Sequence, residues 1–256
     1  MTEMQTPIPA ATLVLFRDRA DGPPDLLLVE RAKAMVFAGG ALVFPGGRID
    51  PGDHVLAEEI AGATGGAQDD TAARIAAIRE TLEEVGLPIG LTPVPDAATL
   101  AAVRAALHAG TTFGEALAAH GLGLDIDALV PFARWLPAHA HMRIFDTLFY
   151  LARLPADAPE AEVDATENVR LTWSSAQGVL DAADAGSAHI IFPTRRNLER
   201  LAQFSGFDEA AADAARHDIR AVTPWIEQRD GVDHLCIPTD LGYPVTSEAM
   251  TSAMRG

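Results

Sequence analysis

The sequence predicts an α/β fold in which helices cover a mixed β-sheet, and three observations lead there. Short apolar runs rich in β-branched and aromatic residues are dense in the first third of the chain. Ala-rich stretches of helical period are interleaved with such runs further on. No internal repeat and no long linker divides the 256 residues, a length that suits one large domain or a compact domain with insertions.

Taken in order, "ATLVLFRD" (11–18) and "DLLLVERA" (25–32) read as strands separated by a turn rich in Asp, Gly and Pro. "ALVFPGG" (41–47) reads as a third short strand ending in a tight glycine turn, and 50–70 as a polar, Gly-rich excursion. A helix is expected over about 71–85, stopped by Gly86 and Pro88. Residues 97–120 read as two helices around Gly110. "FARWLP" (132–137), "RIFDTLFYLARL" (143–154) and "NVRLTWSS" (168–175) read as strands, followed by helices over about 194–204 and 208–219. The tail gives two extended pieces, "AVTPWIEQ" and "HLCIPT", joined around Asp230-Gly231.

Charge and composition narrow the function. The formal net charge is −17, from 36 acidic and 19 basic residues, and no basic stripe is present to hold a nucleic-acid polymer. Such a field repels phosphorylated small molecules as well, so a site for phosphate needs cations of its own. Cys236 is the single cysteine, which excludes a disulfide within the chain; its apolar setting in "HLCIP" reads as a buried small hydrophobe. The N-terminus lacks a basic leader, its apolar run is too short for a signal peptide, and no window approaches a membrane span. The tail "SAMRG" lacks a Ser-Lys-Leu type of address, so a cytoplasmic location is expected.

The chemistry concentrates in "IRETLEEVGL" (78–87). At about 100° per residue, Ile75, Ile78, Leu82 and Val85 form a core stripe while Glu80, Glu83 and Glu84 gather on the opposite side. Like charges at i, i+3 and i+4 destabilise a helix by about 0.2–0.5 kcal/mol per pair. Arg79 relieves part of this at i+4, and a divalent cation would relieve more, because hard cations take carboxylate oxygens. An ordinary solvated acidic face has the same pattern. Upstream, Gly46-Gly47 lets the backbone come close to another group, or serves only as a hairpin turn.

Together these residues resemble the Nudix hydrolase signature G-x5-E-x7-R-E-U-x-E-E-x-G-U, where U is bulky and aliphatic. Gly47 matches the first glycine, and Arg79-Glu80, Leu82, Glu83-Glu84, Gly86 and Leu87 match the second half without a gap. The first half departs from it. Asp53 stands where the pattern has glutamate, and it lies 26 positions before Arg79 instead of 8, an insertion of 18 residues. Counted back from Arg79 the same site falls on Thr71, so the role of the first glutamate is not assigned. A box split in this way resembles the branch of the family that contains the animal peroxisomal coenzyme A diphosphatase and its bacterial relatives. "LLLVERA", "ARWLPAHAHMRIFDTLFYLARLP" and "FPTRRNLERLAQF" resemble segments of that branch, so the resemblance spans about residues 10 to 205.

The resemblance implies a Nudix-type α/β/α sandwich with a mixed sheet and extra helical insertions. It implies one domain over 1–256, with a box insert at about 53–71, a helical insertion at about 97–120 and C-terminal helices and tail at about 194–256. It implies Mg²⁺ or Mn²⁺ held by Glu80, Glu83, Glu84 and the Gly47 carbonyl, with Arg79 fixing the glutamate rotamers. Arg31, Gly46, Gly47 and Arg48 are expected at the substrate. The general base is one of the box glutamates or Glu167, which on its own reads first as a solvated loop glutamate. The implied reaction is metal-dependent hydrolysis of a diphosphate, first in coenzyme A or acyl-CoA, giving 3′,5′-ADP and (acyl-)phosphopantetheine. The alternatives are a diphosphatase for ADP-ribose, dinucleotides or other nucleoside diphosphate derivatives, and a non-catalytic nucleotide-binding regulator. The intact R-E-U-x-E-E weighs against the last. The expected partner is a small-molecule diphosphate, with no nucleic-acid polymer and no membrane; a homodimer is compatible with the sequence but signalled by no residue.

Other residues have two readings each. His139 and His141 have an H-x-H spacing that suits zinc, or simply end a strand. Arg195, Arg196 and Arg200 could reach a 3′-phosphate, or form a solvated basic face. Trp135 and Trp173 could stack on adenine, or pack in the core. Asp146, mid-strand among apolar residues, calls for a buried donor.

Overall fold

The computed structural model describes residues 6–35, 38–64, 68–137, 144–164 and 167–253. In chain order its first elements are β1 (Ile8–Arg17), β2 (Asp25–Arg31), β3 (Leu42–Val43), β4 (Gly46–Arg48), α1 (Pro51–Thr64) and α2 (Gln68–Val85). Next come β5 (Leu91–Thr92), α3 (Ala97–His108), α4 (Phe113–Ala119), β6 (Gly123–Leu124), β7 (Val130–Trp135), β8 (Phe145–Arg153) and β9 (Asn168–Ser174). The last are α5 (Ala176–Asp184), α6 (Phe192–Leu201), α7 (Phe207–Ala214), β10 (Ala221–Val222), β11 (Trp225–Arg229), β12 (Val232–Cys236), β13 (Ser247–Ala249) and α8 (Met250–Ala253). Among the described residues no helix is long and apolar enough to cross a membrane.

A mixed sheet runs β10-β7-β8-β1-β2-β3, with β4 against β1 and β9 against β2. β1 pairs in parallel with β8 along most of its length, from Ile8 opposite Phe145 to Phe16 opposite Arg153. Its other edge is shared: Ala10–Thr12 pair with β4, and Phe16–Arg17 pair with β2. Side chains alternate across the sheet. Ala11, Leu13 and Leu15 join one apolar cluster with α2, α3 and α4, while Val14 and Phe16 join a second with α5, α6 and α7. Because helices cover both faces, β1 and β2 read as near-continuous apolar runs. The result is the expected α/β/α sandwich around a mixed sheet.

α2 is buried almost all round. Ile75, Ile78, Leu82 and Val85 are sealed as the period requires, and Ala72, Ala73, Ala76 and Ala77 are sealed too, since α1 packs along the helix. Gly86, at φ +69°, ends it in a left-handed conformation natural to glycine.

Two sequence expectations are corrected here. The 50–70 segment is no structureless excursion, because most of it is α1. It begins with Pro51 at the first helical position, and the Asp50 N–H donates to Asp53 Oδ2 at 2.9 Å, one half of a capping box. The apolar residues of this stretch make no clean stripe, and Val55 is 58% exposed, so periodicity does not reveal the helix. The second correction concerns Gly46-Gly47, which do not form a hairpin turn. They are the pairing residues of β4, with Gly46 opposite Thr12 and Gly47 opposite Ala11. Elsewhere the 71–85 helix starts three residues earlier, the 208–219 helix ends at Ala214, and α5, β13 and α8 add elements not anticipated. The tail hairpin turns at Asp230 and Gly231, both at positive φ, as the Asp-Gly pair suggests.

Candidate functional site

The acidic side of α2 faces β4 instead of solvent. Arg79, 6% exposed, is the hub. Its Nε donates to Asp53 Oδ1 at 3.0 Å and its Nη2 to Asp53 Oδ2 at 2.9 Å, a two-point contact. Nη2 also donates to the Arg48 carbonyl at 2.8 Å. Nη1 donates to Glu80 Oε1 at 2.9 Å and to Glu83 Oε1 at 3.3 Å, while Asp50 lies 3.8 Å from Nη2. One guanidinium therefore serves four carboxylates. Burial works against its charge, yet the contact with Asp53 and the nearby Glu80 and Glu83 hold its pKa above the ordinary arginine value.

Asp53 is the residue whose role the sequence left unassigned. At 1% exposure it is an internal counter-ion, so α1 carries the aspartate back to the box arginine across the insert. The split halves of the motif are rejoined in space.

The glycines fit this packing. A Cβ on Gly47 would stand 2.4 Å from Cδ and Oε1 of Glu80, so the Glu80 carboxylate occupies the space that a side chain would fill. A Cβ on Gly46 would lie 2.4 Å from the Ala11 carbonyl oxygen and 2.7 Å from Thr12 Cα. The Gly46 N–H, freed from the sheet, donates to Glu84 Oε2 at 2.9 Å. The other oxygen of Glu84, Oε1, accepts from Asn168 Nδ2 at 2.9 Å. Asn168 is a site residue that the sequence gives no signal for beyond its place next to Glu167.

Burial pushes the Glu80 carboxyl up to about 8 against the pull of Arg79, with Glu84 and Glu83 adding to the rise. Burial likewise pushes Glu84 up to about 7, against its bonds from Asn168 and Gly46, and raises Glu83. The common cause is negative charge held in a half-sealed place with too little positive charge beside it.

Arg31 and Glu167 border the same place. Arg31 ends β2 opposite Asn168 on β9, its Nη2 lies 3.7 Å from Glu167 Oε2, and its Nε is sealed from solvent with no partner among the described residues. The Glu167 side chain is largely exposed, and the charges of Arg31 and Glu167 both reach Glu84. The Arg48 residue is exposed, and its carbonyl is what meets Arg79. The end of α2 is tied down from the 97–108 helix: Arg104 Nε donates to the Glu83 carbonyl at 3.0 Å and Nη2 to the Glu84 carbonyl at 3.2 Å.

Several candidates lie elsewhere. Arg196 and Arg200 are neither a solvated face nor near the carboxylates. They are buried on α6, on the opposite side of the sheet; Arg200 pairs with Asp213 and Arg196 with Glu199 and Glu248. Arg195 pairs with Asp184. Trp135 is core, its Nε1 donating to Tyr243 Oη and Asn197 Oδ1, and Trp173 is half-buried under the Arg17 guanidinium. Asp146 takes a two-point contact from Arg134, whose side chain is partly exposed, so its donor is not a buried one. Cys236 is buried and free. His139 and His141 lie outside the described residues.

The donor set suits a hard divalent cation in chemistry and in charge: carboxylates outnumber the cations beside them, and Glu84 is turned to neutral donors. The carboxylates do not form a finished cage. Among the described residues no three acidic, histidine or cysteine side chains converge as a metal ion would require, because Glu80 and Glu83 lean on Arg79 while Glu84 leans on Gly46 and Asn168.

A family model described as the NUDT19 Nudix domain matches residues 55–201, more than half of the chain; the match takes in Arg79 to Glu84 and Asn168 and leaves Gly47 and Asp53 outside. A Caenorhabditis elegans protein described as putative nudix hydrolase 7 is 26% identical over 186 residues, 72% of this chain and 57% of that protein. The chain thus spans little more than half the length of this curated relative. The crystal structure of a NUDIX hydrolase from Alicyclobacillus acidocaldarius superimposes with a TM-score of 0.70 at 27% identity, covering 82% of this chain and 97% of that one.

Proposed function

The chain belongs to the Nudix hydrolase family, and from that premise we propose that it hydrolyses the diphosphate linkage of coenzyme A or an acyl-CoA, releasing 3′,5′-ADP and (acyl-)phosphopantetheine. The observation that carries the proposal is the rejoined box: Asp53 and Arg79 close across an inserted helix, leaving Glu80, Glu83 and Glu84 against Gly46 and Gly47. The split box and the strands around Trp135 and Asp146 support the coenzyme A branch through their resemblance to it.

Nudix hydrolases generally use divalent metal ions. Mg²⁺ or Mn²⁺, when bound, supplies charge neutralisation for the diphosphate and acidity for a coordinated water. In this proposal Glu80, Glu83, Glu84 and the Gly47 carbonyl would hold the ion, and Arg79 keeps Glu80 and Glu83 oriented. Arg31, Arg48 and the backbone of Gly46 and Gly47 meet the substrate. Glu167 takes a proton from the attacking water as its oxygen bonds to phosphorus and the bond to the bridging oxygen breaks. As part of the same proposal the chain works as one domain on a small molecule in the cytoplasm.

The test is a substrate panel of coenzyme A, an acyl-CoA, ADP-ribose, NADH and a dinucleotide, with Mg²⁺ or Mn²⁺ and products identified by mass. Preference for the coenzyme A compounds is expected. Turnover of ADP-ribose or a dinucleotide with a flat response to coenzyme A overturns the substrate assignment.

A further inference from the structure

We propose that Asn168 is a positioning residue that sets the orientation of the Glu84 carboxylate for cation binding. The inference rests on the reading of Glu84 as a holder of the divalent ion.

Of the three box glutamates, Glu80 and Glu83 are steadied by Arg79. Glu84 forms no ion pair among the described residues, and it is held by two neutral donors from different strands, Gly46 N–H on β4 and Asn168 Nδ2 on β9, each at 2.9 Å. One donor on each oxygen fixes both the position of the carboxyl and the plane in which it lies. The donors are uncharged, so the carboxylate is oriented while its charge stays available to an incoming cation. A lysine or arginine in place of Asn168 would orient it equally well and compete with that cation.

Asn168 is itself built in for this task. It is 0% exposed, and its backbone N–H donates to Asp164 Oδ1 at 3.2 Å. Only the amide nitrogen can donate to an ionised carboxylate, so the contact with Glu84 dictates which way the amide faces. That choice leaves Asn168 Oδ1 sealed from solvent and, among the described residues, with no partner. A buried acceptor without a partner is uncommon and costly, and here it is the consequence of turning the donor end toward Glu84.

The full-length chain is tested as Asn168→Ala, Asn168→Asp, Glu84→Gln and the double variant Glu84→Gln/Asn168→Ala. Mn²⁺ binding is followed by electron paramagnetic resonance of the free ion, and turnover is measured on coenzyme A and ADP-ribose. Asn168→Ala is expected to weaken Mn²⁺ binding and lower kcat by about tenfold or more. Its substrate KM should stay within about twofold, and in the Glu84→Gln background the same change should alter Mn²⁺ binding by less than about twofold, since residues acting through one group are not additive. Asn168→Asp has the same size but cannot donate to an ionised Glu84, and it decides the matter if the alanine variant does not fold. Wild-type Mn²⁺ binding and kcat in a folded Asn168 variant, or an equal loss in both backgrounds, overturns the proposal. Wild-type Mn²⁺ binding and turnover in Glu84→Gln instead overturns the assignment of Glu84 beneath it.

Discussion

Asp53 and Arg79, 26 residues apart, meet through two parallel hydrogen bonds at 3.0 and 2.9 Å in a place sealed from solvent. The same Asp53 carboxylate receives the Asp50 N–H, so one side chain starts α1 and anchors the box arginine on α2.

Removing that side chain is therefore expected to be costly. Asp53→Ala should destabilise the protein by about 3 kcal/mol, toward the low end for a broken buried pair because Arg79 keeps Glu80 and Glu83. Asp53→Asn, which can still accept the Asp50 N–H, should lose less. Urea denaturation of the three proteins checks the order.

The adjacent glycines should respond differently to alanine. At Gly47 the added Cβ meets the movable end of Glu80, so Gly47→Ala should keep most of its stability while losing about 10²-fold in turnover as the carboxylate is displaced. At Gly46 the Cβ meets the Ala11 backbone, which cannot swing aside, so Gly46→Ala should lower the melting temperature as well. Parallel melting and rate measurements separate the two.

Glu83→Gln and Glu84→Gln should each lower kcat by about 10²-fold or more with the fold retained, since under the proposed function each removes a charge that would hold the cation. A chelator should abolish turnover, and added Mg²⁺ or Mn²⁺ should restore it. Full activity in excess chelator would contradict the metal-dependent mechanism.

A pH effect on stability is expected far from this site. Burial pushes Glu199 from an ordinary 4.5 up to about 7, against Arg196 and Arg195 and with Glu248 and Asp184 nearby. Because the folded value lies above the unfolded one, the folded state holds the extra proton between these limits. The associated stability is complete below about 4.5 and is lost as pH rises through about 7. Glu199→Gln, which has no such proton to lose, should gain stability relative to the wild type between pH 5 and 8, followed by urea midpoints.

Much of this architecture is legible in the residues because periodicity records burial. β1, β2, β8 and the stripe Ile75, Ile78, Leu82 and Val85 follow directly from apolar spacing. α1 does not, since its apolar residues form no stripe and its most informative residue, Asp53, is polar and buried. The acidic triplet and Arg79 are visible as a motif, but whether they face solvent or β4 depends on a glycine strand whose pairing partner lies in β1. Asn168 is beyond reach for the same reason: it meets Glu84 from 84 positions away, and a single amide in a loop-to-strand junction has no pattern of its own. The α6 arginines mislead in the opposite sense, because a charge run looks solvated until its partners, Asp213 and Glu248, fold over it.

The three-residue strand β4 has a final consequence. Its alignment with Ala10–Thr12 decides which glycine offers its N–H to Glu84 and which makes room for Glu80. A slip of one position would exchange those duties and drag with it Phe44 and Ile49, which flank the strand and belong with the second and the first apolar cluster, so misalignment would disturb the packing on both faces of the sheet together with the carboxylates.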